Sequence, residues 1–285
     1  RCLKLARPEA TLAIGLVGGY LGQTTAAARS LSDPRGFGDE FGLFDWPLLP
    51  HPEHAGVAAT IAALEQVIAT RGAKAIIGLF VELVGERSGA CLSAAAALAL
   101  QKLCRAHDIP LAVVETTTGG YRRGAGAWGV DALPGSFVPN MVLWYPGGQL
   151  GQIFVDSRWW VGTPLMLIST WDGDEVSMIR THEHLRAAHR LDLVPAIAEL
   201  DALVRLAADR LGGHPAGAGL YRALRLADEE RAKLVRARAR SRGLLLGLGL
   251  PDTLLFVPPL DISPARLRGP IRAQLLDAIA SLPDA

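Results

Sequence analysis

Three glutamates, one tyrosine and four lysines are the residues of this 285-residue chain with the most obvious chemical use. Glu82 and Glu115 stand at the ends of two apolar runs, Ala75 to Leu83 and Ile109 to Glu115, that read as adjacent strands. Ligands in open α/β sheets gather beyond the carboxyl ends of strands, so both carboxylates are site candidates, with Glu86 one short loop beyond Glu82. A partly buried glutamate holds its proton more tightly and can serve as acid or base. The plainer alternative stays open: these carboxylates cap loops or pair with Arg87, Arg122 or Arg123. Tyr20 follows a Gly18-Gly19 turn, where its ring either stacks on a planar ligand or simply packs.

Lysine is the amine nucleophile of protein chemistry, and only Lys4, Lys74, Lys102 and Lys233 occur. Lys74 precedes a predicted strand, Lys102 lies within a predicted helix, and Lys4 and Lys233 sit in arginine-rich helical surfaces, so all four read as solvated. His182-Glu-His184 suggests a metal pair, but residues two apart on a helix point to nearly opposite sides. Arg231 to Arg242 is basic without interleaved aromatics and follows Asp228-Glu-Glu230, which favours a solvated helix face over a nucleic-acid surface. Trp144, Trp159 and Trp160 are candidates for a pocket wall, an interface or the core.

To position these groups the chain has an apolar half, 20% charged residues and a net charge of +1. That composition belongs to globular proteins and gives no global field for nucleic acid or an anionic membrane. Cys2, Cys91 and Cys104 form no C-x-x-C pair, which favours a reducing compartment, the cytoplasm by default. No apolar run reaches the roughly 20 residues of a membrane span, and no signal peptide is evident. A chain opening on Arg1 suggests a trimmed or processed start.

Short apolar runs alternate with alanine-rich helical stretches, which predicts an α/β fold with a largely parallel sheet and helices on both faces. Strands are predicted at Leu12–Val17, Ala75–Leu83, Ile109–Glu115, Phe137–Tyr145, Gly151–Val155 and Leu165–Ile168, and a helix over Leu92–His107. The chain then reads as helical from Glu175 to Leu211. A break at Gly212–Gly219 marks a linker or tight loops, and the remainder mixes helices with two short strands. These features predict a large domain over residues 1–192 and a small C-terminal α+β domain over 193–285.

Gly18-Gly-Tyr-Leu-Gly-Gln-Thr24 reads as G-x-[YF]-H-G-x-[ST], and together with Phe44-Asp-Trp-Pro47 and the segments that follow in order it resembles the class III, fold type I aminotransferases, most closely the lysine 6-aminotransferase branch, of which Phe44 to Pro47 matches a stretch. Val81-Glu-Leu-Val-Gly-Glu-Arg-Ser-Gly89 resembles A-E-P-I-Q-G-E-G-G, and Leu103 to Gly119 resembles the L-C-x-x-[HF]-x-x-L-L-I-x-D-E-V-Q-T-G block. Pro139-Asn-Met-Val-Leu-Trp-Tyr-Pro146 resembles P-D-[IV]-[VL]-T-[FL]-[GS]-K. Ser169-Thr-Trp-Asp-Gly-Asp174 resembles S-T-W-G-G-N, and Phe256-Val-Pro-Pro-Leu260 resembles F-R-P-P-L.

The resemblance implies an aminotransferase fold, and its departures imply lost chemistry. The lysine that binds pyridoxal phosphate is replaced by Pro146, which has no amine. The aspartate that pairs with the cofactor's ring nitrogen becomes Val114, the substrate-carboxylate arginine becomes Val257, and the histidine of Y-H-G becomes Leu21. The glycine-rich phosphate segment lies upstream of the helix that Arg1 to Arg7 resembles. Thr170 keeps the position of a residue that reaches the phosphate across a dimer interface, and Val114, Pro146 and Thr170 therefore read as vestigial cofactor positions.

What remains in the implied pocket is Tyr20, at the stacking position, with Glu82, Glu86 and Glu115, the second of these matching a gating glutamate of the lysine branch. The expectation is an acidic pocket that uses no cofactor and acts on an amine or imine, with Glu86, Glu115 and Tyr20 catalytic and Glu82 and Tyr20 binding substrate. A dimer is expected, with itself or with an aminotransferase-like chain, because the family's site is built between subunits; the alternative function is a non-catalytic subunit that keeps the dimer surface and pairs with an intact relative or another pathway protein. Neither nucleic acid, membrane nor metal is expected as a partner.

Overall fold

The computed structural model describes residues 1–36, 42–124, 126–147, 149–164, 166–167 and 173–282. Its main sheet has six strands, β1 (Leu12–Leu16), β2 (Leu48–Leu49), β3 (Ile76–Glu82), β4 (Leu111–Glu115), β5 (Met141–Trp144) and β6 (Gln152–Val155), in the order β2-β1-β3-β4-β5-β6. All neighbouring pairs are parallel except β5 with β6. The centre of a parallel sheet is buried on both sides, which is why β1, β3 and β4 read as almost unbroken apolar runs.

Helices Val57–Arg71 and Ala94–Ala106 cover one face, where Ile14, Leu79, Val81 and Leu111 meet Leu64, Ala97, Leu100 and Cys104. Ser93 starts the second of these helices by accepting a hydrogen bond from the Ala96 amide at 3.2 Å. Burial pushes the Cys104 thiol up to about 12, so it packs as an inert apolar group. The opposite face differs from the expectation of full helical cover. Its cover includes the five-residue helices Cys2–Ala6 and Ala26–Ser30, with Leu31, Trp46 and Trp159 packed against Ala13, Ile77, Ala112 and Met141.

The helical stretch after Glu175 is two helices, Glu175–Ala188 and Val194–Leu211. Pro195 suits the first turn of the second helix, and Asp192 accepts the Val194 amide at 3.2 Å just before it. The segment predicted as linker or loops holds a strand, β7 (His214–Ala218), paired antiparallel with β8 (Tyr221–Arg225). Its sequence hides this because Pro215 and Gly217 are loop residues by composition, yet β7 is an edge strand, where a missing amide is tolerated. With β9 (Gly247–Leu248) and β10 (Thr253–Phe256) the second sheet has the order β7-β8-β10-β9, four strands where two were expected. A separate core of Leu200, Val204, Leu224, Val235, Leu254 and Leu275 joins it to helices Val194–Leu211, Glu229–Ser241 and Arg272–Ala280.

Hydrogen bonds tie the two sheets together next to the strand ends of the first. The Tyr221 hydroxyl donates to the Glu86 carbonyl at 2.6 Å, and the Arg87 guanidinium donates to the carbonyls of Arg35, Asp33 and Gly249 at 2.6–3.2 Å. Arg122 reaches the Pro258 carbonyl at 3.0 Å. Among the described residues no helix is long and apolar enough to cross a membrane.

Candidate active site

The loop after β1 is shaped by Gly18, whose φ of 82° lies in the left-handed region, and by Asp33, which accepts the Gly18 amide at 2.8 Å. Burial works to raise the Asp33 pKa, but hydrogen bonds from Arg35 and Gly18 outweigh it and hold the carboxyl below its ordinary value. The next anchor is Glu82 at the end of β3. Its carboxylate accepts the Tyr20 amide at 2.7 Å and the Glu86 amide at 2.8 Å, which pins the β1 loop to the β3 loop. Burial pushes this carboxyl up to about 8 in spite of those two donors.

Glu115 has the same occupation one strand further on. It is fully buried and accepts the amides of Gly129 at 2.5 Å and Val130 at 2.9 Å, so it fixes the turn Gly129–Ala132. Its pKa is also raised by burial, against the pull of the two amides. The structure therefore turns Glu82 and Glu115 toward loop backbone, as the plainer alternative held for carboxylates at strand ends, and neither lines the cavity.

Glu86 and Tyr20 do line it. A cavity of about 740 Å³ lies on the thinly covered face of the main sheet. Its walls are largely apolar and include Leu21, Leu31, Phe44, Trp46, Phe80, Val114 and Leu143. Glu86 is half-buried at one end and accepts a hydrogen bond from the Thr116 hydroxyl at 3.2 Å. Burial raises its pKa, while Thr116 and the Arg87 charge pull the other way. The Tyr20 hydroxyl is raised by its own burial and by the negative charge of Glu86.

Pro146 is buried just past β5, its carbonyl packed so closely against Gly120 that a Cβ there would overlap it. Gly120 has a φ of 66°, so this crossing is open to glycine alone. Of the four lysines only Lys4 borders the cavity, at the end opposite Glu86, where its ammonium donates to the carbonyls of Pro8 and Ala10 at 2.6 and 2.7 Å. Lys74, Lys102 and Lys233 are exposed, the last paired with Glu229 at 2.7 Å. Val257 is exposed and lies outside the cavity wall, and Thr170, with the rest of Ser169 to Asp172 and part of the strand predicted at Leu165–Ile168, falls outside the described residues.

His182 contacts Glu183 at 3.2 Å while His184 faces Gly147, so the two imidazoles part as helix geometry requires. Among the described residues no group of three or more histidine, cysteine or acidic side chains could hold a metal ion. Trp144 stacks on Trp128 at 4.4 Å and Trp159 is buried, so both are packing residues, whereas Trp160 is exposed. The sequence singled out Leu21, Val114 and the segment Phe44 to Pro47 without showing that they wall one cavity: Phe80 carried a signal, as an aromatic two residues before Glu82, but Phe44 and Trp46 reach the cavity by a loop whose path no periodicity gives away.

No family model matches the chain. It is 28% identical over 236 residues to the L-lysine-epsilon aminotransferase of Amycolatopsis lactamdurans, an alignment that covers 74% of this chain and 46% of that protein. The chain thus spans about half the length of this relative. Among solved structures, lysine aminotransferase from M. tuberculosis superposes with a TM-score of 0.84 at 23% identity, over 97% of this chain and 71% of the other. An (S)-enantioselective omega-transaminase from Thermomicrobium roseum gives 0.84 at 20% identity, over 99% and 72%. The fold is that of the class III, fold type I aminotransferases, with distant sequence similarity to lysine ε-aminotransferase.

Proposed function

We propose that this chain is an aminotransferase-like protein without pyridoxal phosphate chemistry, whose cavity binds an amine or imine through the Glu86 carboxylate. The residues present do not fit the cofactor. The wall offers Val114 and Leu143 where its ring would need polar partners, Pro146 supplies no amine, and the one lysine on the cavity lies at the far end with two carbonyls already on it. The observation that carries the reading is that, among the described residues, a single carboxylate faces an otherwise largely apolar chamber. A cationic nitrogen there gains a charge-assisted partner, whereas a dicarboxylate would meet like charge.

Glu86 would bind the nitrogen and exchange a proton with it, its raised pKa bringing that exchange closer to neutrality. Tyr20 would stack on or relay to the same group. Glu82 and Glu115 would take part only by holding the loops that carry Tyr20 and frame the site. The test is calorimetric titration of butylamine and of 2-oxoglutarate into the wild type and Glu86→Gln. Amine binding that weakens at least tenfold in the variant supports the reading. Equal amine binding by both proteins, or a preference for 2-oxoglutarate, contradicts it.

A second reading, a non-catalytic dimer partner, is favoured by the exposed apolar side chains of Ile153 and Phe154 on edge strand β6 and of Trp160 just beyond it. Sedimentation velocity of the wild type against Ile153→Lys with Trp160→Ser separates the two. A dimer that dissociates in the variant, with no amine bound by either protein, would favour the partner role.

A further inference from the structure

The cavity has a direction as well as a volume. On the sheet its wall runs from Thr11 and Ile77, at the entry ends of β1 and β3, to Val114 and Leu143, with Glu86 and Thr116 in the loops beyond. The register pairs Glu82 with Val114 and Val114 with Leu143, so Ile77 lies five residues below the level of the Val114 wall. At about 3.3 Å per residue that is about 16 Å of trough along the strands. Between its ends the lining is Ala13 and Phe80 on the sheet, with Leu31, Phe44 and Trp46 above, the last two rings stacked at 4.6 Å.

The charges are segregated. Among the described residues Glu86 is the only carboxylate on the wall, at the strand exits, while Lys4 and Arg1 border the opposite end. A short polar amine would occupy the Glu86 end and leave the rest of the apolar trough to water. An α-amino acid with its nitrogen on Glu86 would set its own carboxylate against apolar wall, at a desolvation cost, and a carboxylate at the far end would compete with the Pro8 and Ala10 carbonyls for the Lys4 ammonium. A second ammonium at the far end would meet like charge.

We propose that the ligand of this cavity is an elongated monoamine, its nitrogen on Glu86 and its apolar body lying along β1 and β3 toward Thr11. This rests on the reading of Glu86 as the amine-binding group and adds the class of amine. The methylene chain is the simplest probe of it, since each methylene fully buried contributes about 0.8 kcal/mol, or about fourfold in affinity.

The experiment is titration of butylamine, hexylamine, octylamine and decylamine, below their micellar range, into the wild type, Glu86→Gln and Thr11→Trp. Thr11 is exposed at the trough's far mouth, and an indole there shortens the trough without touching the Glu86 end. The expected result is affinity that rises up to fourfold per methylene in the wild type, a loss of at least tenfold for every amine in Glu86→Gln, and a gain in Thr11→Trp that stops before decylamine with butylamine unchanged. Affinity independent of length but sensitive to Glu86 would overturn the elongated ligand and leave the amine site standing. A length gain untouched by Thr11→Trp would likewise place the tail elsewhere. Amines that bind at no length, or bind equally well to Glu86→Gln, would overturn both.

Discussion

Glu82, Glu86 and Glu115 are the same side chain with three different surroundings, and the surroundings decide the work. Glu82 and Glu115 each take two backbone amides in the interior, so they act as staples, whereas Glu86 accepts a threonine hydroxyl and faces an open chamber. The sequence placed Glu82 and Glu115 correctly at strand ends but could not tell which way they point, because loop amides brought in from Tyr20 and Gly129 compete for them. Two predictions follow at this scale from proton linkage. The Glu82 carboxyl goes from 4.5 to about 8 on folding, so between those values the folded protein holds a proton that the unfolded chain has lost. Its contribution to stability is therefore full below about pH 4.5 and is lost as pH rises through 8. Urea unfolding of Glu82→Gln should show a shallower decline from pH 5 to 9 than the wild type, together with a loss of about 1–3 kcal/mol at pH 5, because the amide faces one backbone donor with another. For Glu86 the sign concerns binding: an ammonium needs the ionised carboxylate, so amine affinity should fall as pH drops through a midpoint above the ordinary 4.5. Calorimetry across pH 4 to 8 reads it.

At the scale of elements, the site is a set of loops at strand exits, each held by one buried contact. The turn Gly129–Ala132 hangs on Glu115, so Glu115→Ala leaves two buried amides without acceptors and should cost about 2–5 kcal/mol in a urea denaturation. The crossing of Gly120 under Pro146 predicts that Gly120→Ala costs at least the 1–2 kcal/mol of a left-handed alanine, with steric overlap added, read as a lowered melting temperature. Strands β1, β3 and β4 were legible because burial on both faces writes a continuous apolar run. Strand β7 was not, because an edge position tolerates Pro215 and Gly217, and composition alone then reads as loop. Nor was the trough legible: its cover comes from Phe44 and Trp46, which approach the sheet from a loop between β1 and β2.

On the scale of the whole molecule, a parallel six-stranded sheet and an antiparallel four-stranded sheet are joined beside the site by Tyr221, Arg87 and Arg122. The aminotransferase fold could be read from motif order across the chain, because the motifs at Gly18–Thr24, Val81–Gly89 and Leu103–Gly119 mark strand ends and tight turns that the backbone requires. What the fold does here is set by a few side chains at those ends, and a fold does not dictate them. The proposed function is that of an aminotransferase-like shell that works without pyridoxal phosphate. The most direct test mixes the purified protein with pyridoxal phosphate, passes it through gel filtration, treats it with borohydride and measures bound cofactor by absorbance and intact mass. The expected result is no visible band that survives filtration and no stoichiometric mass increment. A stoichiometric band that borohydride fixes to one lysine would contradict it.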